Sequence, residues 1–157
     1  MSLERGLDVS ASHPDRSQPQ VERSGTPAAS SVEVRVAAEP AQLAVMRAVI
    51  GDLAMRADFD VDSIADLRLA VDEVCSSLVR LAAPEASLTC RFCCDGEDVS
   101  LSAEVRSEGS SAPREDTFSW RVLSALADTV TTSVEPVEDA GEHVVRIDLV
   151  KGRAGHE

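Results

Sequence analysis

The sequence predicts an α+β protein, a two-layer sandwich in which one mostly antiparallel sheet carries its helices on a single face. Three observations lead there. Segments of alternating apolar and polar residues, the pattern of half-buried strands, flank stretches whose apolar residues recur at helical spacing. In chain order these elements run β-α-α-β-β-α-β-β, the order of an α+β sandwich. The connection Asp95-Gly96-Glu97-Asp98 carries the Asp-Gly signal of a tight hairpin.

Each element has its own warrant. Residues 1–31 are rich in Ser, Pro, Gln and charge and show no apolar periodicity, so they read as a disordered tail. The folded domain is expected over residues 32–151, with 152–157 as a short C-terminal tail. Val32, Val34 and Val36 alternate with Glu33 and Arg35 as a first strand, which Pro40 stops. Between Ala41 and Ala57 a stripe of Leu43, Met46, Ile50, Leu53 and Ala54 marks helix one, and Phe59 and Val61 cross a short acidic connection. Ser63 is the expected N-cap of helix two, with Asp66 three residues on. Ile64, Leu67, Val71, Val74, Leu78 and Leu81 form its buried stripe, ending before Pro84. Strands follow over Leu88 to Cys94 and Val99 to Val105, then a polar loop from Arg106 to Thr117. Helix three is expected from about Ser119 to Thr129 with Trp120, Leu123, Leu126 and Ala127 inward. Strands over Val130 to Val134 and His143 to Val150 close the chain, joined through a turn region around Pro136 and Gly141.

Composition narrows the function classes. A length of 157 residues buries a core without needing metals or disulfides. With 15 Lys+Arg against 28 Asp+Glu, a formal charge of -13, the surface repels phosphate backbones, so direct nucleic-acid binding is not expected and a basic protein partner is favoured. No apolar run reaches the roughly 20 residues of a membrane span, and the N-terminus lacks a secretory layout, so a cytoplasmic location is expected. Cys90, Cys93 and Cys94 lie on one strand whose alternation sends Cys90 and Cys94 to one face and Cys93 to the other. That geometry favours buried reduced thiols, Cys75 included, over a zinc site. Asp58, Asp60 and Asp62 lack the glycine and distal glutamate of a calcium loop, and no metal site is assigned.

The chemistry-bearing spacing lies on helix two. Glu73 and Ser77 are four residues apart and share a face. That spacing, the Asp66-Leu67-Arg68-Leu69-Ala70-Val71-Asp72-Glu73 opening of the helix, and Ala125-Leu126-Ala127-Asp128 ending at Val130 together resemble the RsbW-type anti-sigma factors. These are built on the histidine-kinase-like (Bergerat) ATPase domain, and the resemblance covers about Val32 to Lys151. It implies a fold of that type. It also implies a regulator that binds an alternative sigma factor of the stress or sporulation type and is released by an anti-anti-sigma factor, a STAS-domain protein. A homodimer is expected by analogy, and better-known members phosphorylate the antagonist on serine.

Carried over position by position, the resemblance puts the general base at Glu73 and the Mg²⁺-binding asparagine at Ser77. The adenine-reading aspartate becomes Ser107, Gly109 is kept, and the last glycine of that segment becomes Ser111. The second glycine box becomes Thr117-Phe118-Ser119, and Gly141 keeps the place of the last glycine before the final strand. A hydroxyl is a weaker Mg²⁺ ligand than an amide carbonyl, and each lost nucleotide contact removes about a kilocalorie or more. Arg47, on helix one, stands where related proteins use an arginine toward sigma factor and antagonist. The reading favours a binding module with a degenerate nucleotide site and no cofactor. The alternative is an ATP- and Mg²⁺-dependent serine-protein kinase with Glu73 as base.

Overall fold

A computed structural model describes residues 30–138 and 140–153 of the chain. Of the tail expected over residues 1–31, residues 1–29 lie outside the described residues, as do 154–157. Strand β1 (Ser30–Ala37) starts two residues earlier than its alternation indicates, because Ser30 and Ser31 pair with Cys94 and Cys93 of β2 (Ser87–Cys94). Backbone pairing, and not side-chain character, sets that end. After a single 3-10 turn at Pro40–Gln42, helix α1 spans Leu43–Arg56. Its predicted stripe of Leu43, Met46, Ile50, Leu53 and Ala54 is buried as expected.

Helix α2 (Val61–Leu81) begins earlier than Ser63. The cap is Asp60, whose side chain accepts a hydrogen bond from the Ser63 amide at 2.7 Å. Ser63 is the third residue of the helix and is buried, while Val61 opens the helix fully toward solvent instead of bridging the connection. Ile64, Leu67, Val71, Val74 and Leu78 are buried, and Leu81 packs at the core's margin.

Strands β2 and β3 (Asp98–Ser107) form the predicted hairpin. Gly96 has φ +102°, and the Asp95 carboxylate accepts from the Asp98 amide at 3.0 Å. β3 runs through Ser107, two residues into the predicted loop, because its ladder with β5 (Glu142–Gly152) continues to Ser107 opposite His143. Helix α3 (Phe118–Leu126) is shorter than predicted. Ala127 is extended, Asp128 donates its amide to Val150, and Thr129 already belongs to β4 (Thr129–Val137). Pro136 lies inside β4, which among the described residues is an edge strand with no ladder partner on its outer side, a place where proline's missing amide is tolerated.

The sheet order is β1-β2-β3-β5-β4, with every described pairing antiparallel. One face buries Leu88, Cys90 and Phe92 of β2, Leu101, Ala103 and Val105 of β3, and Val145, Ile147 and Leu149 of β5 against α1 and α2. The residues between them, such as Glu104 paired to Arg146 at 2.7 Å, face away from the helices. The architecture is the expected α+β sandwich. Among the described residues, no helix is long and apolar enough to cross a membrane.

Candidate functional site

Helix α2 lies between α1 and α3, so its sides serve different neighbours. Successive residues on a helix are about 100° apart. Asp72 and Glu73, adjacent in sequence, therefore face different neighbours. Asp72 Oδ1 accepts from Arg47 Nη1 of α1 at 2.7 Å, and Glu73 Oε1 accepts from Ser119 Oγ of α3 at 2.5 Å. Ser119 is placed there by the start of α3, where the Thr117 hydroxyl caps the helix by accepting the Trp120 amide at 3.1 Å.

The other predicted nucleotide positions also find partners within the chain. Ser77, half-buried on α2, accepts a hydrogen bond from Arg80 Nη2 at 3.4 Å, which brings a guanidinium to the Mg²⁺-ligand position. Ser107 is buried at the end of β3, and its hydroxyl accepts the Gly109 amide at 3.2 Å, fixing the first turn of the following loop. Around Gly109 itself, a Cβ would meet nothing within 4 Å. Gly141 has φ +69° in the turn between β4 and β5, so its glycine is explained by the hairpin. Phe118 is 74% exposed, whereas Trp120 is half-buried against the core.

The fold thus brings together Glu73 with the Thr117-Phe118-Ser119 segment, and Ser107 with Gly109. Arg47 meets a different side of α2 from Glu73, in the separate seam with α1. In the sequence Asp72 is signalled only by its place beside Glu73 in the helix-two motif, and Ser119 only as a replaced glycine position.

Beneath the seam, Cys75 of α2 and Cys90 of β2 are fully buried with their sulfurs 3.7 Å apart. Contact with Cys90, then burial, then the nearby Asp72 charge push the Cys75 thiol well above its usual pKa, so it stays protonated. Cys93 and Cys94 are partly exposed, which corrects the expectation that all four thiols are buried. Cys94 packs against the core like Cys90, and Cys93 points to the other face between Ser31 and Ser100, as the alternation indicates.

A two-layer sandwich with a carboxylate on its central helix facing the start of α3 defines a class of ATPase-derived domains. Residues 36–145 match the family model of the histidine kinase-like ATPase domain, and the chain belongs to that family. Two relatives resemble it in sequence, the anti-sigma-F factor RsbW of Mycobacterium tuberculosis strain CDC 1551 / Oshkosh and that of strain ATCC 25618 / H37Rv. Each is 41% identical over 102 residues, a match spanning 65% of this chain. The chain spans 61% of the length of these relatives.

Proposed function

We propose that this protein is an anti-sigma factor that works as a binding module, sequestering an alternative, stress- or sporulation-type sigma factor in the cytoplasm until a STAS-domain antagonist releases it. Family membership and the likeness to RsbW support the sigma-binding part. The observation that favours the non-catalytic part is the bond from Ser119 to Glu73, which ties one oxygen of the family's base carboxylate to a side chain of the protein itself.

The remaining positions point the same way. Arg80 beside Ser77 sets a positive charge where a Mg²⁺ would sit, and the Ser107 hydroxyl is taken by the chain's own backbone instead of an adenine. This reading gives ATP and Mg²⁺ no role at these residues. Arg47, held in place by Asp72 yet 41% exposed, is the residue assigned to the partner surface.

The test is calorimetric binding of purified sigma factor F of Mycobacterium tuberculosis, alongside phosphate transfer from ATP to a STAS-domain antagonist. Saturable sigma binding without antagonist labelling is expected. Labelling that disappears in Glu73→Ala would establish the kinase alternative instead. Size measurement by light scattering tests the homodimer expected by analogy.

A further inference from the structure

The core between α2 and the sheet contains one contact with a chemistry of its own. Cys75 of α2 and Cys90 of β2 are both at 0% exposure, and their sulfurs lie 3.7 Å apart although the residues are 15 positions apart in the chain. Their surroundings are apolar, with Val71, Val74 and Leu78 on the same helix and Leu88 and Phe92 on the same strand. A small apolar side chain fills such a position as well as a thiol does, but two thiols in contact can also be joined.

The arrangement is specific to this pair. A disulfide holds its sulfurs about 2.05 Å apart, so these two have to close by about 1.7 Å, which side-chain rotation and a slight approach of helix to sheet supply. Cys90 has Val34 and Ala103 as its cross-strand neighbours, and Ala103 is the smallest side chain on the buried face of the sheet. The half-exposed cysteines are poorly placed to compete. Cys93 points to the outer face, and Cys94 lies four residues from Cys90 along an extended strand, about 13 Å away.

We propose that Cys75 and Cys90 form an oxidation site, a latent disulfide that hydrogen peroxide closes and that ties α2 to the sheet. Burial selects the oxidant. Peroxide is neutral and little larger than water, so it enters through local openings of the core that admit neither a disulfide reagent nor a labelling reagent. Contact with Cys90, then burial, keeps the proton on Cys75, which leaves Cys90 as the attacking sulfur. Its sulfur bonds to one peroxide oxygen, the O–O bond breaks, and the other oxygen leaves as water with the Cys90 proton, giving a sulfenic acid. Cys75 then attacks that sulfur. The S–S bond forms as the S–O bond breaks, and the departing hydroxyl takes the Cys75 proton as a second water. The two thiols lose one electron each, and peroxide takes both. Neither thiol belongs to the Arg47 seam or to the nucleotide positions, so the site stands apart from the sigma-binding reading.

The test treats the full chain with hydrogen peroxide, blocks the remaining thiols and maps linked peptides by mass spectrometry, with melting temperatures read before and after. A peptide pair joining Cys75 to Cys90 with loss of two hydrogens is expected. The melting temperature should rise by roughly 10 °C, because closing the loop restricts the unfolded chain, and dithiothreitol should reverse both changes. A variant carrying Cys93→Ser and Cys94→Ser should form the link as the wild type does, and Cys75→Ala should gain no stability from peroxide. The mapping is read on the wild type, so it decides the matter even where Cys75→Ala folds poorly. A link made through Cys93 or Cys94 overturns the assignment. So does oxygen added to Cys75 or Cys90 without a link, or recovery of both as free thiols under peroxide that oxidises Cys93. A melting temperature that stays level or falls once Cys75 and Cys90 are joined overturns the tie between α2 and the sheet.

Discussion

Ser119 Oγ donates a hydrogen bond to Glu73 Oε1 across 2.5 Å, joining residues 46 apart in sequence and fixing the first turn of α3 against the middle of α2. A hydroxyl bonded to a carboxylate forms one of the stronger protein hydrogen bonds. The contact also decides the chemistry of the site, because the family's base position is met here by a group from its own chain.

Removing either partner should therefore cost stability. Ser119→Ala and Glu73→Ala are each expected to lower the unfolding free energy by about 1 kcal/mol, the scale of a charge-assisted bond at a half-buried position. The double variant should cost less than the two single losses added together, with a coupling of at least about 0.5 kcal/mol in urea denaturation. Simple additivity would show that the contact contributes nothing.

The core should respond far more strongly than the outer helix surface. Phe92→Ala, at a fully buried position of β2, is expected to destabilise by about 3–5 kcal/mol. Leu69→Ala, on the exposed side of α2, should change stability by roughly 0.5 kcal/mol or less. Denaturant midpoints distinguish the two, and a comparable loss at Leu69 would place that residue in an interface even in the isolated chain.

Most of the sandwich is legible because burial imposes a period. The Leu67 to Leu78 stripe repeats at helical spacing because one side of α2 covers the sheet, and Cys90, Phe92 and Leu101 alternate because one face of that sheet is wet. What the sequence hides is set by partners distant in the chain. β3 reaches Ser107 only because β5 continues opposite it, and Ser30 joins β1 only because Cys94 is there to pair. Asp60 and Ser63 are both good caps three residues apart, and the choice falls to Asp60 because the Ser63 amide is itself the donor being capped. At the candidate site, Glu73 and Ser77 could be placed on one helix face from spacing alone. Their neighbour Ser119 lies 46 residues from Glu73, beyond the reach of local spacing, whereas Arg80 stands three residues from Ser77 on the same helix and only its rotamer is hidden.

The Asp60 cap sets a pH dependence. The Ser63 amide holds the Asp60 carboxyl below the usual aspartate range, so the folded state binds this proton less readily than the unfolded chain does. Its stabilisation is full above the unfolded-state value of about 4 and is lost as pH falls through the lower folded value. Melting temperature measured from pH 6 down to pH 2 should drop at the acid end, and less steeply in Asp60→Asn. An unchanged slope in that variant would assign the acid sensitivity to other carboxylates.

Thiol chemistry should divide the cysteines by position. The half-exposed Cys93 and Cys94 are expected to react with a thiol-specific reagent in the native protein, while Cys75 and Cys90, fully buried and with Cys75 held protonated, react only on unfolding. Mass spectrometry of the labelled peptides reads this directly. Labelling of Cys75 at the rate of Cys93 would mean that α2 opens from the sheet.

The most direct measurement is a calorimetric titration of Mg²⁺ and ATP into the full chain, repeated with Ser119→Ala. No saturable heat into the millimolar range is expected for the wild type. Removing the hydroxyl alone should not restore binding, since Ser77, Ser107 and Phe118 still depart from the nucleotide contacts. Saturable binding at micromolar ATP by the wild-type chain would contradict the assignment of this domain as a binding module.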